Sequence, residues 1–246
     1  MKLNPAMSML SNMDKNDVIN LLKENTNERG LVHWKKIKNN GGLKSFGIGL
    51  TQLRKLAKKI GRNRELALEL WKSDIYDAKT ISLLIDDPKQ ITKEQVEKQV
   101  EELDIGLLTH VFSSCDATLA KSPLAFDLAN EWIATDHDIR RRSGYGLLYE
   151  LSKNKRNKAL TDEFFLNCID DINDKIFNKK ESPTMRCAMG GALMGIGKRN
   201  KILNKRAIEV ATKVGPIDFN EDGGKCEPFN ILKHLKSDYL RKKFGK

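Results

Sequence analysis

The sequence predicts an all-α fold, an α-α superhelix of antiparallel helix pairs stacked in series. Three observations predict it. Apolar residues recur at helical spacing through nearly the whole chain. No stretch alternates as a half-buried strand does. About a dozen such segments follow one another with short polar joints, too many for a single bundle.

Taken in order, Asp17 to Lys23 reads as a helix with Val18, Ile19, Leu21 and Leu22 inward. Thr51 to Ile60 places Leu53, Leu56, Ala57 and Ile60 on one face, and Arg64 to Trp71 does so with Leu66, Ala67, Leu70 and Trp71. Tyr76 to Ile85 follows, then Thr92 to Leu103, where Thr92 and Gln95 have the spacing of a capping box. Ser122-Pro123 and Ser182-Pro183 each set a capping hydroxyl before a proline at a first helical position, where proline has no N–H to lose. Apolar residues at helical spacing continue each: Ala125, Leu128, Ala129, Trp132 and Ile133, then Met185, Ala188, Met189, Ala192, Leu193 and Ile196. From Thr161 a wide stripe runs through Phe164, Phe165, Cys168, Ile169, Ile172, Ile176 and Phe177. The pattern recurs without the residues recurring, which fits HEAT-like repeats. No linker divides the chain, so residues 1–246 read as one domain.

Composition narrows the function. The net charge of +11, from 44 Lys and Arg against 33 Asp and Glu, favours polyanionic partners. Between Ile139 and Lys213 stand 17 Lys and Arg against 8 Asp and Glu, so most of the excess lies there. Such a cluster fits either a phosphate-backbone footprint or a solvated lysine-rich surface. Cys115, Cys168, Cys187 and Cys226 form no CxxC pair, which argues against a zinc ribbon and for free thiols in a reducing compartment. The opening residues lack a signal-type apolar core, and the apolar runs are too short to span a membrane. The expectation is a cytoplasmic monomer without a membrane association.

Two nucleotide-loop readings fail. Gly190, Gly191, Gly195, Gly197 and Lys198 lack the required glycine at Ala192 and the hydroxyl at Arg199, and no strand precedes them. These glycines instead suit close helix packing or close approach of a ligand backbone. Gly41 to Gly49 is a loop without dinucleotide-binding order. His33, His110, His137 and His234 have no ligand spacing. No metal, nucleotide or other cofactor is expected.

Three segments stand at similar points of successive helix pairs. His110 to Asp116 ends an apolar helix in an acid. Ile139-Arg140-Arg141-Arg142 opens a helix that continues through Gly144, Tyr145, Leu147 and Leu148. Thr184 to Leu193 carries Arg186 and the paired Gly190 and Gly191. In a solenoid all three can face one concave surface.

These segments, with Leu53 to Lys58 and a tail from Val214-Gly215 to Gly223-Gly224-Lys225-Cys226-Glu227-Pro228, resemble the AlkD-like DNA alkylation repair family of HEAT-like-repeat DNA glycosylases. The resemblance runs along nearly the whole chain. It implies a protein that binds double-stranded, damaged DNA and excises cationic N3- or N7-alkylated purines. Asp116 would then stabilise oxocarbenium charge and position water. Phe112 would stand where the family carries a tryptophan at its catalytic site. Arg142, with Arg141, Arg186, Lys198 and Arg199, would hold phosphates, and Gly191 would lie against the DNA. The chain departs from the family at three rings: Phe112, Ile139 and Gly191 each replace a tryptophan. Three functions follow as alternatives: an alkylpurine glycosylase, an inactive relative that binds bent, branched or damaged DNA, and a HEAT-type protein scaffold. The residues keep local alternatives too. Asp116 fits an N-cap as well as a site carboxylate, Phe112 fits a core position, and Arg142 fits an ion pair with Glu150 or a neighbouring helix.

Overall fold

The computed structural model describes residues 13–37, 40–103, 106–178, 180–219 and 227–245. Among the described residues it holds fourteen α-helices and one 3-10 turn. No strand occurs among them, only two isolated bridges, Lys44 with Ile75 and Ile217 with Phe229. The chain divides into two compact units, Met1–Ala125 and Phe126–Lys246.

The first unit contains α1 (Lys15–Glu24), α2 (Glu28–Trp34), α3 (Leu50–Ile60), α4 (Arg64–Trp71), α5 (Tyr76–Ile85), α6 (Lys93–Glu101), α7 (Gly106–Ser113) and the turn Leu119–Lys121. Helices α4 and α5 have the bounds expected from periodicity alone. The apolar α5 is buried nearly all round and packs against α1, α3, α4 and α7. Leu22, Leu53, Leu56, Leu70, Ile81 and Ile85 are the large fully buried members of its core. Fully burying each such side chain contributes roughly 1.5–3 kcal/mol.

A buried carboxylate organises the loop before α3. Asp77 has no exposed surface, and its Oδ2 accepts from the Ser45 hydroxyl and the Phe46 N–H, both at 2.8 Å. Its Oδ1 accepts from the Ile48 N–H at 3.1 Å. Three donors offset the desolvation of one charge. Between those contacts Gly47 sits at φ 70°, and α2 comes so close that a Cβ on Gly30 would overlap the Gly47 carbonyl. Only glycine fits at both positions.

The second unit contains α8 (Ala125–Ile133, whose first residue closes the first unit), α9 (Asp138–Leu151), α10 (Asp162–Lys175), α11 (Pro183–Gly197), α12 (Lys201–Val214), α13 (Ile231–Leu235) and α14 (Asp238–Phe244). Helix α9 packs on α11, and α10 on α12, while α11 also meets α10 and α12. Alternate helices therefore share a layer, as the stacking of helix pairs requires. Glycines let α11 pack closely. A Cβ on Gly195 would lie 2.6 Å from Tyr149, and one on Gly197 2.6 Å from Leu235 and 2.8 Å from Ala207. Gly190 is similarly crowded by Ile231 at 2.9 Å.

Capping side chains set the helix starts. Asn63, Thr161, Ser182 and Asn200 each accept from a backbone N–H in the first turn, and Pro183 follows Ser182 as expected. Each such cap contributes about 0.5–2 kcal/mol. Three local expectations are corrected. The Ser122 hydroxyl donates to the Leu119 carbonyl, so it closes the 3-10 turn and does not cap α8. Thr92 caps α6 through the Gln95 N–H, but the Gln95 amide turns to the buried Asp86 at 2.8 Å, and the reciprocal half of the box is not formed. Helix α10 stops at Lys175, which leaves Phe177 exposed beyond the stripe.

Candidate nucleic-acid interface

In the first unit the end of α7 turns sharply. Cys115 and Asp116 both have positive φ, 58° and 70°, consecutive residues in a region that disfavours L side chains. Arg54 on α3 holds this turn: its Nε donates to the Cys115 carbonyl at 3.2 Å and lies 3.1 Å from Oδ2 of Asp116. Lys121 donates to the Asp116 carbonyl at 3.0 Å. The Asp116 carboxylate is thus exposed and ion-paired, and it caps no helix. Phe112 is fully buried, 6.4 Å from the Trp71 ring. Its ring belongs to the core and cannot meet a sugar or a base.

In the second unit the first turns of α9 and α11 meet. Arg141 forms a bidentate pair with Glu181, at 2.6 and 3.2 Å, which ties the start of α9 to the residue before the Ser182 cap. The pair is largely buried, and the guanidinium is raised above its ordinary value by Glu181 against the cost of burial. Arg141 is therefore a structural link. Arg142 lies 3.7 Å from Asp138, four residues earlier, whereas Glu150 pairs with Lys153 at 2.8 Å.

The positive charges of Arg142, on α9, and Arg186, on α11, both bear on the Cys187 thiol. Burial lifts that thiol to about 11, while the positive charges of both arginines oppose the rise and Asp218 adds to it. The Arg186 Nε is buried and has no hydrogen-bond partner. One turn along α11, a Cβ on Gly191 would meet nothing within 4 Å, so this glycine is open where Gly190, Gly195 and Gly197 are crowded. Helix α9 packs on α11, so Arg142 and Arg186 stand near the starts of two packed helices, residue types that pair with phosphate oxygens.

At the far end of α11 the charges divide. Arg199 donates to the carbonyls of Ser152, Asn154 and Leu160, at 2.9, 2.7 and 3.0 Å. Its guanidinium also lies 4.8 Å from the Phe165 ring centroid. Those donors, where the sequence had led us to expect a phosphate contact, are committed to the loop between α9 and α10. Lys198 is half-buried, and burial with the nearby Lys153 charge lowers its ammonium below the usual value. Among the described residues no helix is long and apolar enough to cross a membrane.

Comparison with known proteins bears on the family and the fold. A family model described as "DNA alkylation repair enzyme" matches residues 18–217. The chain belongs to the DNA alkylation repair enzyme family. It is similar to the uncharacterized protein Lin0241 of Listeria innocua, 25% identical over 199 residues, covering 77% of this chain and 81% of that protein. It is also similar to Lmo0209 of Listeria monocytogenes, 24% identical over 207 residues, covering 80% and 85%. A solved structure described as "a new family of proteins related to the HEAT-like repeat DNA glycosylases with affinity for branched DNA structures" superposes with a TM-score of 0.80. It is 25% identical, and the match covers 95% of this chain and 97% of that one. The all-helical HEAT-like fold expected of this DNA alkylation repair family member is thereby shown. The family's C-terminal Gly-Cys-Pro segment falls mainly on residues 220–226, outside the described residues.

The sequence had pointed to Asp116, which is exposed, and to Arg142, Arg186 and Gly191, which are only partly exposed, the Arg142 side chain at 18%. It had named Arg54 only within the family-like Leu53 to Lys58 segment, without a role, and had not pointed to Glu181. Their partners lie 62 and 40 residues away, and no periodic pattern carries a contact over that distance. Arg54 did have one signal, its place on the polar side of the strongly amphipathic α3.

Proposed function

We propose that this chain binds DNA through the α9–α11 face of its second unit and recognises distorted or branched duplexes by shape. The observation that carries the reading is the packing of α9 on α11, which sets Arg142 and Arg186 near the starts of neighbouring helices with the open Gly191 farther along α11. Two arginines on neighbouring helices hold a sugar-phosphate backbone at short range and leave base edges unread. Shape and deformability would then supply the preference. The branched-DNA affinity of the structurally similar protein supports this choice. The tests are binding to a four-way junction and to a linear duplex of equal length, compared at two salt concentrations. Preference for the junction, with a steep salt dependence, is expected. Absent or salt-independent binding would remove the reading.

Excision of alkylated purines is a second reading, favoured by the exposed Asp116 carboxylate. Against it stand the buried Phe112 and the missing side chain at Gly191, which deprive a cationic base of the aromatic faces it would stack on. Arg54 also compensates the carboxylate charge that an oxocarbenium ion would need. Release of 7-methylguanine from methylated duplex, lost in Asp116→Asn, would establish glycosylase activity. No release above background at saturating protein would exclude it.

A further inference from the structure

We propose that Cys115, activated by His110 and oriented through Ser114, is a redox-modification site that small hydroperoxides oxidise to a sulfenic acid. The Cys115 Sγ lies 3.2 Å from His110 Nε2. The Ser114 hydroxyl donates to the His110 carbonyl at 2.5 Å, which leaves its oxygen to accept from the other ring nitrogen, Nδ1, at 3.4 Å. A nucleophile, a base within hydrogen-bond reach and a third group orienting the base form the constellation of an activated nucleophile.

The surroundings favour the charged sulfur. Burial alone would raise the thiol, but the hydrogen bond and charge of His110, with Ser114 and Arg54, bring it below its ordinary value. Cys168 and Cys187 show the opposite behaviour, pushed up by burial to about 12 and about 11. Cys115 is half-exposed, in a turn whose positive φ turns it away from the regular helix. A low thiol beside a cation, partly open to solvent, is the microenvironment of a reactive cysteine.

The step balances without a cofactor. His110 takes the thiol proton. The sulfur attacks the terminal oxygen of the hydroperoxide, and the S–O bond forms as the O–O bond breaks. Sulfur loses two electrons and the peroxide gains them. The leaving oxygen takes the proton from His110 and departs as water or an alcohol. The new oxygen sits one residue from Asp116, where it competes for Arg54, the residue that holds this turn.

The full-length chain, treated with hydrogen peroxide and dimedone, provides the test, with each cysteine peptide quantified by mass spectrometry. Cys115 is expected to be labelled at least about tenfold faster than Cys168 and Cys187 at neutral pH. His110→Gln, folded by circular dichroism, is expected to slow Cys115 about tenfold or more. Should that variant fail to fold, the pH profile of iodoacetamide alkylation of the unmodified chain decides. A half-maximal rate for Cys115 below the ordinary thiol value of about 8.5 supports the proposal. Labelling of Cys115 no faster than of the buried thiols, an ordinary pH profile, or an unchanged rate in folded His110→Gln would overturn it.

Discussion

Arg54 holds Asp116 twice, at its carboxylate and through the preceding peptide: Nε is 3.1 Å from Oδ2 and 3.2 Å from the Cys115 carbonyl oxygen. The ion pair is exposed and worth less than about 1 kcal/mol, while the hydrogen bond to the strained peptide adds about 1 kcal/mol. Arg54→Ala is therefore expected to lower unfolding stability by about 1–2 kcal/mol. Asp116→Asn keeps the contact to the Cys115 carbonyl and is expected to cost less than about 1 kcal/mol. Urea denaturation of the two variants distinguishes them. A larger loss in Asp116→Asn than in Arg54→Ala would contradict this description of the turn.

The glycines of α11 separate packing from exposure. Gly191→Ala adds a methyl to open space and gains helix propensity, so stability is expected to rise by about 0.5–1 kcal/mol. Gly197→Ala drives a methyl into Leu235 and Ala207, and a loss of about 1–3 kcal/mol is expected. Thermal melts read both. If DNA lies against Gly191, the alanine variant binds it more weakly while melting higher, a combination that a purely structural glycine does not produce.

Arg199 joins three carbonyls across the loop that follows α9. Removing a charged donor leaves those partly buried acceptors unsatisfied, and Arg199→Ala is expected to destabilise the fold by about 2–3 kcal/mol. The slope of DNA affinity against salt should not change. A stable variant with a reduced slope would return Arg199 to the interface.

The helices were legible because burial imposes a period on the chain. Arg64–Trp71 and Tyr76–Ile85 have the bounds that their apolar spacing predicts. Arg142, Arg186 and Gly191 were singled out through resemblance, because they stand in segments like those of the family, and their role is a proposal. What escaped the sequence is which charges are already spent inside the protein. Arg141 and Arg142 are neighbours, yet one is locked to Glu181 and the other keeps only a 3.7 Å contact to Asp138. Lys198 and Arg199 diverge in the same way. Helical neighbours point about 100° apart, so adjacent residues meet different environments, and the long-range partner that decides the outcome leaves no local trace. Phe112 carried the opposite ambiguity: an aromatic ring suits a core and a binding face equally until its burial is known.

The proposed phosphate contacts make a quantitative statement about ions. Each arginine that neutralises one phosphate contributes about one unit to the slope of log affinity against log salt. Arg142→Gln and Arg186→Gln should each lower the slope by about one unit and weaken junction and linear duplex alike, since phosphate contacts carry no sequence information. Arg141→Gln should leave the slope unchanged and instead cost about 1–3 kcal/mol of stability, because it strands Glu181.

The most direct test of DNA binding through the α9–α11 face is a salt titration of four-way-junction binding by the unmodified chain and by the folded Arg142→Gln/Arg186→Gln double variant. The expected result is tight binding by the former and a slope smaller by about two units in the latter. Equal slopes and affinities in both proteins, or no junction binding by the unmodified chain, would contradict it.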